Sequence, residues 1–114
     1  MNLHSYFDSI ALDQDPVNRI ERPLNDSFRK GLEDEARQIM QDYPATEMGD
    51  LLNVKDAKTW GVEAYKLAVE HIYSYTQTHK QVTEEYQTTM RALLKKQIAL
   101  GGYRLGLNIA AIYA

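Results

Sequence analysis

Along the last third of the chain, apolar residues return at steps of three and four. Tyr86, Met90, Leu93, Leu94, Gln97, Ile98, Gly101, Leu105, Asn108, Ile109 and Ile112 share one side of a helical projection. This predicts a helix over 82–113 with one face in a core. Unbroken, it would be roughly 48 Å long. Thr83 is placed to cap it, and Glu84 and Glu85 fall in the first turn, where the helix dipole favours negative charge. Its second half is apolar nearly all round, since Arg104 and Asn108 are the clearly polar residues of 98–114. Such a helix is buried on most sides. Gly101 and Gly102 lie in its middle, at about 1 kcal/mol each relative to Ala, and predict close approach of another backbone or a ligand. The run is too short for a membrane span and has Arg104 near its centre, which argues against insertion. A charge in such a helix needs a partner, and a buried ion pair with Glu63 is the candidate.

The rest of the chain supplies shorter elements. Residues 1–12 predict a helix with Leu3, Phe7 and Ile10 on one face. Residues 13–16 form a turn, and 17–23 a connector. Leu24, Phe28, Leu32, Glu35, Ala36, Ile39 and Tyr43 keep a helical period, with Asn25 or Asp26 as cap and Pro44 as stop. Arg29, Lys30, Glu33, Asp34 and Arg37 make its solvated outer face. A loop over 45–55 has room for one helical turn near 47–52. Asp56 then caps a helix whose apolar side carries Trp60, Ala64, Leu67, Ala68, His71, Ile72 and Tyr75. The fold class is all-α: one domain, residues 1–114, built as a bundle of three to four helices with a long, largely apolar C-terminal helix.

Composition narrows the function. The chain has 114 residues and a net charge of −3, with no basic block. That argues against a bulk electrostatic grip on nucleic acid and against a sequence-specific DNA-binding helical domain. There is no cysteine, so thiolate metal sites and disulfides are excluded. The polar residues after Met1 do not resemble a secretory signal, and the chain as written is expected in the cytoplasm. No Gly-rich phosphate loop or Ser/His/Asp arrangement is present. What remains is His4 and Asp8, four apart and therefore neighbours on a helix surface. A neutral imidazole nitrogen and a carboxylate oxygen are both zinc ligands. The same spacing also gives an ordinary surface hydrogen bond. Trp60 reads as a core anchor, His71 as a hydrogen-bonded core residue and His79 as a surface residue.

Residues 2–9, Asn-Leu-His-Ser-Tyr-Phe-Asp-Ser, resemble the Asn-Leu-His-Ser-x-Trp-Asp segment of the S1/P1 nuclease family, with Phe7 where Trp is usual. Trp60, Glu63 and Leu67-Ala68 resemble that family's Trp-Ala-x-Glu-Ser…Ala helix, with Ala64 in place of Ser. Gly102-Tyr103-Arg104-Leu105 and Ile112-Tyr113 resemble its final helix, with Gly106 replacing Ala and Ala110 replacing Asn. The family comprises zinc-dependent nucleases and 3′-nucleotidases related in fold to zinc phospholipase C. The resemblance implies that His4 and Asp8 are ligands of one zinc ion. It also implies that this chain matches the C-terminal portion of the family pattern. The longer stretch in front would hold most ligands of a three-zinc cluster, most nucleotide-binding residues and a signal peptide for secretion.

Two functions follow as expectations. One is the C-terminal portion of a nuclease hydrolysing phosphodiesters or 3′-phosphomonoesters of single-stranded nucleic acid or nucleotides, nearly inactive alone. The other is a non-catalytic helical module that associates through its apolar last helix, as a homo-oligomer or with the missing N-terminal segment. In a dimer, two copies of His4 and Asp8 would give four ligands.

Overall fold

The computed structural model describes residues 3–10 and 22–114. Four longer segments carry the fold: α1 (Leu3–Ile10), α2 (Asp26–Asp42), α3 (Ala57–Leu67), which runs on through a π-helical turn (Ala68–Tyr73) into the short α4 (Ser74–Thr78), and α5 (Glu84–Ile112). Two 3-10 turns, Ala45–Glu47 and Gly49–Leu52, connect α2 to α3. No strand occurs among the described residues, so the fold is an all-α bundle. The predicted turn at 13–16 and most of the 17–23 connector lie outside the described residues.

The helix starts follow from side-chain capping. The Asn25 side chain accepts from the Phe28 N–H at 2.8 Å, so Asn25 rather than Asp26 is the cap of α2. Asp56 accepts from the Lys58 and Thr59 N–H groups at 3.2 and 3.3 Å. Thr83 accepts from the Tyr86 N–H at 3.1 Å and starts α5. Each contact satisfies a donor that the first turn leaves without an intrahelical partner. Gly49 has φ +56, a left-handed conformation that Gly adopts freely, and it lets the chain turn between the two 3-10 segments.

The α5 helix of 29 residues is the spine. Met90, Ala99 and Leu100 on it are buried; Ala99 and Leu100 pack with Ile39 of α2 and Met48 between the 3-10 turns. Four of its side chains donate to carbonyls of other segments. Tyr86 Oη reaches His71 O at 2.7 Å, and Arg91 Nε reaches Ile10 O at 2.8 Å. Tyr103 Oη reaches Tyr43 O at 2.8 Å, and Arg104 Nη2 reaches Leu51 O at 3.0 Å. Ile10 is the last residue of α1 and Tyr43 the C-cap of α2, where helix carbonyls lack internal partners.

The inward face of α5 differs from the periodic expectation. Ile98, Leu105, Ile109 and Ile112 are exposed, and Tyr103 and Arg104 turn inward with Ala99 and Leu100. In an apolar-all-round segment the period cannot select a face, and the two residues that need carbonyl partners select it. Gly101 and Gly102 are also corrected: a Cβ at either would meet nothing within 4 Å, so no backbone approaches them. Ala64 of α3 faces solvent, while Glu63 is half-buried. The accessible surface is 8856 Å², against about 6,400 Å² for a compact 13.1 kDa monomer. The radius of gyration is 16.0 Å, against about 13 Å for a compact chain of this length. The bundle is therefore open and flat. Among the described residues, no helix is long and apolar enough to cross a membrane.

Leu100 is 3% exposed, so Leu100→Ala is expected to destabilise the chain by about 2–5 kcal/mol. Gly101→Ala, with open space for the added methyl, should instead stabilise by up to about 1 kcal/mol. Urea midpoints at fixed protein concentration check both. A lower midpoint for Gly101→Ala would show that something packs on that glycine in solution.

Candidate functional site

The α1 helix sets His4 and Asp8 one turn apart on the same face, with His4 Nε2 3.1 Å from Asp8 Oδ2. Both side chains are largely exposed, at 88% and 67%. Two ligands at tetrahedral positions about 2.0–2.1 Å from one zinc ion stand roughly 3.3 Å apart. The pair therefore fits two corners of a zinc site. It does not make a centre, because a catalytic zinc takes three protein ligands plus water. No group of three His, Cys, Asp or Glu that could hold an ion occurs among the described residues. Glu63 and His71 join no such group.

Those two residues do other work. Glu63 Oε2 lies 2.8 Å from Arg104 Nη2, with the side chains 26% and 10% exposed, which is the ion pair expected from the sequence. The Arg104 guanidinium also sits over the Trp60 ring, 5.1 Å from its centroid, a cation–π distance. The Trp60 indole donates to Val54 O at 2.7 Å. Trp60 thus ties the start of α3 to the preceding loop, half-buried rather than in the core as expected. Among the described residues, Arg104 Nε is buried without a hydrogen-bond partner. His71 is half-buried in the π-helical turn; its Nε2 is 3.9 Å from Glu70 Oε2 and its carbonyl takes the Tyr86 hydroxyl.

The structure also assembles an aromatic cluster that the sequence pattern did not single out. The Tyr75 ring stacks on His79, with centroids 4.1 Å apart and planes at 2°. It also stacks on Tyr86, at 3.6 Å and 14°. Two rings parallel to a third and this close to it must lie on its opposite faces, so the order is His79–Tyr75–Tyr86. Tyr6 and Phe7 of α1 form an edge-to-face pair at 5.0 Å. The Tyr75 hydroxyl donates to Gln81 O at 3.0 Å and accepts from the Thr83 N–H at 3.2 Å, which fixes the connection into α5. Tyr75 and His79 are four apart, a stacking distance on a helix that was readable. Tyr86 and Tyr6 come from other elements and were not.

Burial pushes the phenols of Tyr6 and Tyr86 above the usual value of 10.0, and the neighbouring phenols push the same way; for Tyr6, Arg91 opposes the rise. A folded pKa above the unfolded one means stability that is complete below pH 10 and is lost as pH rises through the folded value. Tyr86→Phe removes the hydroxyl donor to His71 O and should cost about 1 kcal/mol at pH 7. It should also flatten the fall in thermal midpoint above pH 10. An unchanged alkaline slope would mean that Tyr86 does not titrate with the fold.

Comparisons with known proteins bear on what this arrangement belongs to. No curated protein and no solved structure matches the chain. The family model described as S1/P1 Nuclease matches residues 1–114, which include the His4–Asp8 helix, the Trp60–Glu63 segment and the helix of Arg104. The chain belongs to the S1/P1 nuclease family.

Proposed function

We propose that this chain is the C-terminal portion of a zinc-dependent nuclease that hydrolyses phosphodiesters or 3′-phosphomonoesters of single-stranded nucleic acid or nucleotides. The observation that carries the reading is the 3.1 Å His4–Asp8 pair, on a helix within the family match. His4 offers an imidazole nitrogen and Asp8 a carboxylate oxygen, a donor set suited to zinc. Zinc bound in such a family supplies charge for a phosphoryl group and a bound water of lowered pKa. This chain's own residues hold two ligand positions, and α1 presents them to solvent rather than enclosing them. Among the described residues no third ligand joins them, and the chain alone is expected to be nearly inactive.

A second reading is a helical association module descended from the same family. The exposed Leu105, Ile109, Ile112 and Tyr113 along the end of α5 favour it. Apolar patches of this kind mark interaction surfaces.

Metal analysis of protein purified without chelator, beside His4→Ala, tests the first reading. The expected result is weakly held zinc, lost in the variant, and a thermal midpoint of zinc-supplemented protein that falls when EDTA is added. No metal in either sample, with a midpoint indifferent to EDTA, would leave the association module.

A further inference from the structure

Five exposed positions of α5, Ile98, Gly102, Leu105, Ile109 and Ile112, follow one another at steps of four, three, four and three. That 3.5-residue spacing is the seam by which one helix packs along another. At 3.6 residues per turn the seam projects from the side of α5 opposite Ala99, Leu100, Tyr103 and Arg104, which face the bundle. One heptad before Ile98, Arg91 occupies the same side and donates to Ile10 O, so α1 covers the helix there. From Ile98 onward the side is bare, with Leu105 60% and Ile112 74% exposed. The apolar surface continues sideways. Ile98 and Gly102 form one bank of a groove of about 390 Å³, whose other bank is Leu32, Ala36 and Met40 of α2.

We propose that a second copy of this chain covers the seam, the two α5 helices packing antiparallel. The proposal rests on the association reading above and names the partner. In an antiparallel pair, each seam position of one kind faces the other kind on the opposing helix. One register lays Leu105 of each copy over Gly102 of the other and sets Ile98 against Ile109, giving four layers without a charge. A Cβ at Gly102 would meet nothing within 4 Å, so the notch is open to the incoming leucine. A parallel pair would set Gly102 on Gly102 and leave an apolar void, which is costly. It would also align the helix dipoles, where the antiparallel pair opposes them. The seam is thus its own complement. The area suffices as well. The 8856 Å² of accessible surface exceeds that of a compact monomer by about 2,400 Å². A standard interface takes ~800 Å² from each partner.

The test is sedimentation equilibrium in EDTA, so that zinc bridges nothing. The wild-type chain is expected at twice its 13.1 kDa mass in the micromolar range. Leu105→Glu, at an exposed position, should keep its helical circular dichroism and weaken self-association at least about 30-fold. Gly102→Leu, which fills the notch while the monomer has room for it, should do the same. The chain has no cysteine, so oxidation of single-cysteine variants reads the register. Ile98→Cys mixed with Ile109→Cys should cross-link. Ile98→Cys alone should not, because its two copies would lie about 16 Å apart along the seam, beyond the ~7 Å that a disulfide spans. Self-cross-linking of Ile98→Cys would overturn the antiparallel pairing. A dimer that survives both Leu105→Glu and Gly102→Leu would overturn the seam as its contact. A monomeric wild type at about 100 μM, a hundredfold above a micromolar Kd, would overturn the proposal altogether. Dye binding then separates the two readings. A monomer that binds the apolar dye ANS keeps an association face without a second copy, and one that does not loses the association reading too.

Discussion

The fold depends on polar side chains of α5 that reach across to carbonyls and a carboxylate on the other elements. Arg104 is the centre of this. In a helix whose neighbours are Ala99, Leu100 and Tyr103, it lies 2.8 Å from Glu63 and donates to Leu51 O at 3.0 Å, and its guanidinium covers Trp60. One side chain thus ties α5 to α3 and to the second 3-10 turn. Burying a guanidinium is costly unless it is both paired and hydrogen-bonded, and here Nη2 makes both contacts while Nε is left without one. Tyr103, Arg91 and Tyr86 repeat the principle at Tyr43, Ile10 and His71. With so small a buried core, these directional contacts set which way the spine helix faces.

That constraint also explains what the sequence could and could not reveal. The caps at Asn25, Asp56 and Thr83 were readable because capping is local chemistry. The Glu63–Arg104 pair was readable because a charge in an apolar helix demands a partner. The inward face of α5 was not, because an apolar surface on all sides has no phase; Tyr103 and Arg104 fix it through contacts far away in sequence. Ala64 followed the same logic, turned outward because Glu63 must point at Arg104. The π-helical turn at Ala68–Tyr73 has no pattern of its own. For the candidate site, the His4–Asp8 contact was legible from spacing. The aromatic cluster was not, because Tyr6, Tyr75 and Tyr86 come from three segments.

An open, flat bundle is the physical setting for the functional reading. The pair on α1 is presented to solvent, and the end of α5 leaves Leu105, Ile109 and Ile112 uncovered. Both features are exposed surface. The aromatic cluster differs, since the Tyr75 and Tyr86 hydroxyls are already committed to the backbone.

The most direct test of the account is a double-mutant cycle between Glu63→Gln and Arg104→Met, read by urea unfolding at fixed protein concentration. If the pair orients α5, the coupling should be about 1–3 kcal/mol, with the double variant more stable than the two single losses predict when added. Additive losses, or an Arg104→Met chain as stable as wild type, would contradict the claim that this contact holds the spine helix in place.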